Sequence, residues 1–416
     1  MTTAPDETRL YGDVDPYCYE LLLTDPERAA LARLRAVLDR DVKPLVNDLW
    51  DRGEYSSSIL EPLAALRLMD PVGHDGGSSG PATAQPDPVD GVSPPEESRA
   101  LFRGFRTFEI ARTDVSTAVV YSGHVTLFRN TVLLGGSPEQ VAELDADMRT
   151  FALTGVFALT EPDHGSDVAR GLETTARREG DEWVLTGAKR WIGGAAQADM
   201  LAVMARDEAD GQVKAFLVDR ADGGVRIEKI RRKASLRIVD NGHVTFDGAR
   251  VPESRRLQRV NSFADVNRLL RSMRTDVSWM ATGAQAGAFR AAVRYTGERQ
   301  QFGRPVARFQ LVQDKLATML GNLTASLGMA VRLSQLADSG GFSDADAAMA
   351  KAWIARRARE TVALAREVCG GNGITLDTDV ARFFADAESI YTFEGTNEVN
   401  QLVVGRSITG LSAFVD

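Results

Sequence analysis

Trp183-Val184-Leu185-Thr186-Gly187-Ala188-Lys189-Arg190-Trp191-Ile192 is the stretch on which the fold turns. Two runs of β-favouring residues, 183–186 and 189–192, flank Gly187-Ala188, a pattern that predicts a β-hairpin. Short runs of the same kind follow at 200–205, 215–218, 225–230 and 243–246, separated by turn residues such as the polar stretch 207–212. Residues 151–252 therefore predict a strand-rich unit of roughly 100 residues.

On both sides the period changes to that of helices. Leu31, Leu34, Val37 and Leu38 repeat at three and four, which predicts helix over 26–70 with Pro26 in its first turn. Residues 71–95 are rich in Gly, Pro and Ser and read as an exposed loop, either a mobile lid or a disordered surface insertion. Helix resumes over 97–149, with a break at Gly135-Gly136-Ser137-Pro138. From 261 onward Val312, Leu316, Met319, Leu320, Leu323 and Leu327 form one stripe, and Ala350, Trp353, Ile354, Thr361, Leu364 and Val368 another. Gly370-Gly371-Asn372-Gly373 suits a left-handed end to that second helix. A chain of 416 residues is too long for one core. The expected class is α+β, mainly α: helical over 1–150, strand-rich over 151–255 and helical over 256–416.

Composition removes several classes of function. A net charge of −9 argues against a nucleic-acid partner, which needs a basic face. No run of 18 apolar residues predicts a membrane span. Cys18 and Cys369 make no disulfide framework, and His74, His124, His164 and His243 lack metal-ligand spacing, so no metal site is expected. The acidic N-terminal stretch has neither a secretory core nor the Arg-rich look of a transit peptide, and the C-terminal residues are not a peroxisomal tripeptide, so a cytoplasmic location is expected.

Four constellations can carry chemistry. Tyr391-Thr392-Phe393-Glu394-Gly395-Thr396-Asn397-Glu398, taken alone, favours a helix start capped by Thr396 or Asn397 over a carboxylate beside aromatics with its pKa raised to that of a general base. Thr160-Glu161-Pro162-Asp163-His164-Gly165-Ser166-Asp167 is a surface turn or a polar rim for a cofactor. Trp191-Ile192-Gly193-Gly194 is a core Trp with a turn, or a flat ring beside backbone that another flat group can approach. Arg299-Gln300-Gln301-Phe302-Gly303-Arg304-Pro305, with Phe309-Gln310, is a helical corner or a pyrophosphate site.

In order and spacing these motifs resemble the acyl-CoA dehydrogenase family over nearly the whole chain, with a tail (397–414) similar to the glutaryl-CoA dehydrogenase and short-chain acyl-CoA oxidase branch; the stretch 236–242 leans toward the latter. The resemblance implies an N-terminal helical domain, a middle β-barrel-like domain, a C-terminal four-helix bundle, FAD as cofactor, and a homotetramer. It implies that Phe157, Leu159, Thr160, Ser166, Trp191, Ile192 and Gly193 line the flavin, and that Ser166 also faces acyl-CoA. Arg299, Phe302 and Gln310 would reach the FAD of another subunit, as would the segment holding Glu367, Val368, Gly370 and Gly371. Thr396 and Asn397 would sit near the cofactor, and Arg274, Gly395 and Thr117 near the substrate.

Glu394 would remove the α-proton of an acyl-CoA thioester while hydride passes from the β-carbon to flavin. The thioester carbonyl would be held by the Glu394 N–H and the FAD ribityl chain, each donor contributing about 3–4 kcal/mol toward the enolate. Ser272 and Met273, where some branches of the family place their base, carry no carboxylate. Gly193 stands where dehydrogenases usually have a Thr, leaving either an electron-transfer flavoprotein or O2 as acceptor and room for oxygen as a possible consequence. Thr117 replaces the Arg that holds a second carboxylate in the glutaryl branch, so a monocarboxylic acyl group is expected. His164 replaces a small residue and is structural or substrate-facing; Phe393 replaces a Tyr. The alternatives are a flavin monooxygenase or nitroalkane-type oxidase, a tailoring enzyme acting on a carrier-bound thioester, and a non-catalytic helical scaffold.

Overall fold

A computed structural model describes residues 9–72 and 97–413. Helix α1 (Asp25–Val37) begins in a capping box: Thr24 Oγ1 accepts from Glu27 N, and the Glu27 carboxylate accepts from Thr24 N. A π-helical turn, Leu38–Val42, leads into α2 (Lys43–Arg52), which stops at Gly53 in the left-handed conformation. The helix expected over 26–70 is thus cut in two. Gly53 supplies the stop, and Ser56 accepts from Ser58 N to start a separate short turn before α3 (Glu61–Ala64). Nearly all of the Gly- and Pro-rich stretch read at 71–95 lies outside the described residues.

Helices α4 (Ala100–Thr113) and α5 (Val115–Ser122) follow, then a π-helical stretch, Gly123–Arg129. The expected break separates α6 (Asn130–Gly135) from α7 (Pro138–Thr150), whose capping box is built by Ser137 and Gln140. The strands are β1 (Gly155–Ala158), β2 (Thr175–Glu179), β3 (Glu182–Gly193), β4 (Met200–Asp207), β5 (Val213–Asp219), β6 (Val225–Lys229) and β7 (Asn241–Pro252), with the short α8 (Val168–Gly171) after β1. They form one curled, half-barrel sheet in the order β1-β4-β2-β3-β7-β6, with β5 paired to β4.

The hairpin expected at Gly187-Ala188 is absent. Residues 186–189 stay in one long strand because each has a partner across β7, from Thr186 opposite Asp247 to Lys189 opposite Val244. Gly187 (φ 142°) serves close approach instead: a Cβ there would lie 2.7 Å from Thr174 Cα. The two β-type runs read on either side of the polar stretch 207–212 pair as an antiparallel hairpin, β4 with β5. β4 alternates between two cores, with Met200, Ala202 and Met204 in one and Leu201, Val203 and Ala205 in the other. Both faces are covered, hence the unbroken apolar run.

The C-terminal helices are α9 (Phe263–Glu298), α10 (Gln310–Asp338), α11 (Asp344–Val368), α12 (Val380–Thr392) and α13 (Asn397–Thr409); a two-stranded turn, β8 (Gln300–Gln301) with β9 (Arg304–Pro305), joins α9 to α10. Both expected stripes face inward: Met319, Leu323 and Leu327 of α10, and Ala350, Ile354, Thr361 and Val368 of α11, are buried. Gly370 takes the left-handed conformation just beyond α11. The helices before and after the sheet share one apolar core, in which Leu31, Leu34, Phe105 and Phe108 join Trp279, Leu323, Ile354 and Ile390. No helix among the described residues is long and apolar enough to cross a membrane.

Trp279 is the largest fully buried side chain of that core. It packs on Phe105 at 4.9 Å between ring centroids and donates from Nε1 to Ser334 Oγ at 2.9 Å. Its indole lies directly over Gly104, where a Cβ would fall 2.1 Å from Trp279 Cε2. Gly104→Ala is expected to destabilise the protein by about 1–3 kcal/mol, because the ring cannot move without breaking its bond to Ser334. Urea unfolding followed by tryptophan fluorescence measures this.

Candidate active site

α12 ends at Thr392, where Phe393 N donates to Ser389 O at 2.9 Å. The next two residues are left-handed, Glu394 with φ 55° and Gly395 with φ 84°. Thr396 then caps α13, its Oγ1 accepting from Val399 N at 3.2 Å. Thr396 is therefore the cap, and the residue two before it is a half-buried carboxylate. Burial pushes the Glu394 carboxyl up to about 7, against the pull of the Arg274 and Lys351 charges, with Asp276 adding to the rise. The Glu394 N–H makes no hydrogen bond among the described residues.

Arg274 and Asp276 project from α9. Arg274 Nε is buried with no hydrogen-bond partner among the described residues, and burial lowers the guanidinium pKa while Asp344 and Glu394 oppose that. Asp276 accepts from Thr107 Oγ1 at 2.6 Å. From α11, Lys351 donates to Tyr391 O and Gly395 O; burial lowers its pKa to about 8. Asn400 Nδ2 donates to Gly395 O at 2.8 Å and Thr396 O at 3.0 Å. Sequence reading found Glu394, Arg274, Gly395 and Thr396 but missed Lys351, Asp276 and Asn400. One signal was available for Lys351: a lone charge on the alanine-rich inner face of a helix.

A second cluster forms on the sheet. Arg190 N donates to Thr160 O at 2.8 Å, bringing the Thr160–Asp167 loop alongside the Trp191 strand. Glu161 locks the loop by accepting from Lys189 Nζ (2.8 Å), Glu173 N (2.7 Å) and Thr174 N (2.9 Å). Burial works to raise the Glu161 carboxyl, but Lys189 and these N–H groups hold it below the usual range. Trp191 has a left-handed backbone (φ 66°) and is 53% exposed, so it is not a core Trp. Asn241 Nδ2 donates to Trp191 O at 3.2 Å. Ser166 is exposed, whereas the side chains of Leu159 and Ile192 are buried, so only their backbone can face a ligand. Phe157 is half-buried. His164 bonds Asp167 Oδ2 at 2.8 Å, and the contact with Asp167 raises its pKa; it serves its own loop.

Other expected site residues, Asn397 aside, lie apart from both clusters. Arg299, Phe302 and Gln310 are exposed beyond the far end of α9, about 37 Å along the helix axis from Arg274. Gly370 and Gly371 are exposed, with open space around the position of a Cβ. Glu367 pairs with Lys315 at 3.2 Å, and Val368 is buried in the helical core. Asn397 is buried, its amide satisfied by Ala352 O and Arg356 when the nitrogen faces the carbonyl. Thr117 is fully buried and its hydroxyl is committed to Asp114 at 2.9 Å.

An exposed indole beside Gly193 and Gly194, next to the polar Thr160–Asp167 loop, fits a flat aromatic cofactor such as a flavin. Residues 156–249 match the family model described as acyl-CoA dehydrogenase, middle domain, and residues 263–409 match acyl-CoA dehydrogenase, C-terminal domain. A 3-(aryl)acrylate reductase of Clostridium sporogenes is 33% identical over 304 residues, 72% of this chain and 80% of the relative. The short-chain specific acyl-CoA dehydrogenase of Bos taurus mitochondria is 32% identical over 300 residues, 71% of this chain and 73% of its own. The crystal structure of a glutaryl-CoA dehydrogenase from Mycobacterium smegmatis in complex with FADH2 superposes with a TM-score of 0.86 at 28% identity, covering 97% of this chain and 99% of that one.

Proposed function

The chain belongs to the acyl-CoA dehydrogenase family, FAD-dependent oxidoreductases acting on CH–CH bonds, and from that premise we propose that it desaturates a monocarboxylic acyl-CoA with Glu394 as the base. The observation that carries the reading is the half-buried Glu394 carboxyl, raised to about 7, in a left-handed turn with its own N–H free. A base with that pKa is half ionised near neutral pH and strong enough to accept a proton from carbon activated by a thioester. The free Glu394 N–H supplies a donor for the thioester carbonyl, where negative charge develops. Arg274 and Lys351 favour the ionised carboxylate before the proton moves. FAD, when bound, supplies the two-electron acceptor. Trp191, Thr160, Ser166 and the backbone at 192–193 would hold its ring; Arg299, Phe302, Gln310, Gly370 and Gly371, exposed in one chain, would reach the cofactor of a second copy.

A homotetramer suits this arrangement, since Phe302 (91% exposed) and Leu311 (77%) offer apolar surface for another subunit. The neutral side chain of Thr117 supports a monocarboxylic acyl group, because it carries no charge to pair with a second carboxylate. An electron-transfer flavoprotein is the favoured acceptor over O2. Val239 and Asn241, 3.3 and 3.7 Å from where a Cβ would lie at Gly193, take up part of the space left by the missing side chain.

The test mixes purified holoenzyme anaerobically with butyryl-, glutaryl- and 3-phenylpropionyl-CoA. Bleaching of the flavin band by a monocarboxylic thioester, with little peroxide on admitting air, is the expected result. No bleaching by any of them would overturn the reading. Fast peroxide release would replace the flavoprotein acceptor with O2.

A further inference from the structure

The face of α11 turned to the core is built of small apolar residues: Ala347, Ala348, Ala352, Ile354 and Ala355 are all buried. Lys351 stands among them with no exposed surface. Its Nζ donates to Tyr391 O at 2.9 Å and to Gly395 O at 2.7 Å. These carbonyls bracket Glu394, and the loop between them needs a restraint, because Glu394 holds a backbone conformation that side chains other than Gly resist. We propose that Lys351 is a positioning residue for the base: its ammonium clamps the carbonyls of Tyr391 and Gly395, fixes the left-handed turn at Glu394, and sets a positive charge beside the carboxylate that must ionise. The proposal rests on Glu394 being the base.

Two features favour a role for the charge as well as for the bonds. A neutral donor suffices to hold a carbonyl, and Asn400 already does so at Gly395 O. Burying an ammonium is far costlier than burying an amide, yet among the described residues Lys351 bonds two carbonyls and no carboxylate. The charged groups facing Lys351 are Glu394 and Glu398, which favour its protonated form, and Arg274, which opposes it. Those facing Glu394 are Arg274, Lys351 and Asp276; Arg274 in turn faces Asp344 and Arg271. Lys351 is thus one of two cations acting on the base and the one that also holds its loop.

The experiment compares wild-type holoenzyme with Lys351→Met, Lys351→Gln and Asn400→Ala, using whichever of butyryl-, glutaryl- or 3-phenylpropionyl-CoA bleaches the wild-type flavin fastest. Both Lys351 variants should reduce flavin at least about tenfold more slowly, keep the acyl-CoA Kd within about threefold, and shift the acid limb of the rate upward by about one pH unit, because a cation that favours the carboxylate is gone. Asn400→Ala should slow the reaction without moving that limb, since it loosens the loop and removes no charge. A crystal structure of Lys351→Met should show Glu394 relaxed out of positive φ.

A wild-type rate and limb in Lys351→Met overturns the proposal. So does a slower rate with an unmoved limb, which reduces Lys351 to a packing role. If the Lys351 variants do not fold, Asn400→Ala decides: an unchanged rate overturns the clamp, and a slowed one supports it. Glu394→Gln, run in parallel, separates the two claims. Bleaching by that variant removes the base itself; silence there with an unimpaired Lys351→Met removes only the positioning role.

Discussion

Glu394→Gln is expected to slow flavin reduction by acyl-CoA by about 10²–10⁴-fold, the range that a positioned general base contributes, while FAD and acyl-CoA still bind. The amide keeps the shape of the side chain and the free backbone N–H, so binding and carbonyl polarisation survive and only proton removal is lost. Rapid-mixing measurements of flavin bleaching give the rate, and ligand-induced spectral shifts give the binding. In the wild type, kcat/KM should fall as pH drops below about 7, where the carboxyl becomes protonated. A wild-type rate in the Gln variant, or a rate independent of pH between 5.5 and 8.5 in the wild type, would exclude Glu394.

The same substitution has a stability signature of defined sign. Burial raises the folded-state pKa of Glu394 from the ordinary 4.5 to about 7, so between those values the folded protein binds more protons at this site than the unfolded chain does. This site therefore lowers stability as pH rises through that window, and its cost is fully present above about 7. Gln carries no such cost. The variant should gain on the wild type between pH 4.5 and 7 and keep a constant advantage above it, as urea melts at pH 5 and 8 would register. Equal stability at both pH values would mean that burial does not strain this carboxylate.

The architecture was legible where one physical signal dominated. The apolar stripes at 312–327 and 350–368 became buried helix faces because period 3.6 leaves few other solutions. The capped break at 135–138 and the β4–β5 hairpin followed from turn chemistry. Gly187 misled because a glycine for close approach and a glycine for a turn look alike in sequence; only the partner strand at 244–247 distinguishes them. The cut at Gly53 lies between charged residues, Asp51-Arg52 and Glu54, and ahead of three serines, a turn signal that the helical reading of 26–70 ran across. At the site, Glu394 was readable from its motif, whereas Lys351 showed only as a lone charge on an alanine-rich helix face, because it lies 43 residues upstream and meets the Glu394 loop through backbone carbonyls. Local patterning marks caps and stripes; it carries no record of which carbonyls a distant side chain will meet.

The base loop also depends on where α12 is anchored, and the second large effect is expected there. Arg382, in the first turn of α12, is almost wholly buried. It donates to Asp114, to Asn47 Oδ1 and, at 3.1 Å, to Asp379 Oδ1, which ties the helix to α2 and to the start of α5. Asp114 in turn caps α5 by accepting from Thr117 N at 2.7 Å. Arg382→Met should destabilise the protein by about 3–5 kcal/mol, because it strands the buried Asp114 carboxylate without its cation. That carboxylate also lies within electrostatic reach of Asp386, whose carboxyl is already raised to about 6 by burial and by Asp114. Adding Asp114→Asn should recover much of the loss: the amide oxygen can still cap Thr117 N, and no unpaired charge stays buried. Urea unfolding of the single and double variants measures both numbers. If the double variant is no more stable than Arg382→Met alone, the damage comes from lost packing of α12, and charge pairing is not what holds the helix leading to Glu394.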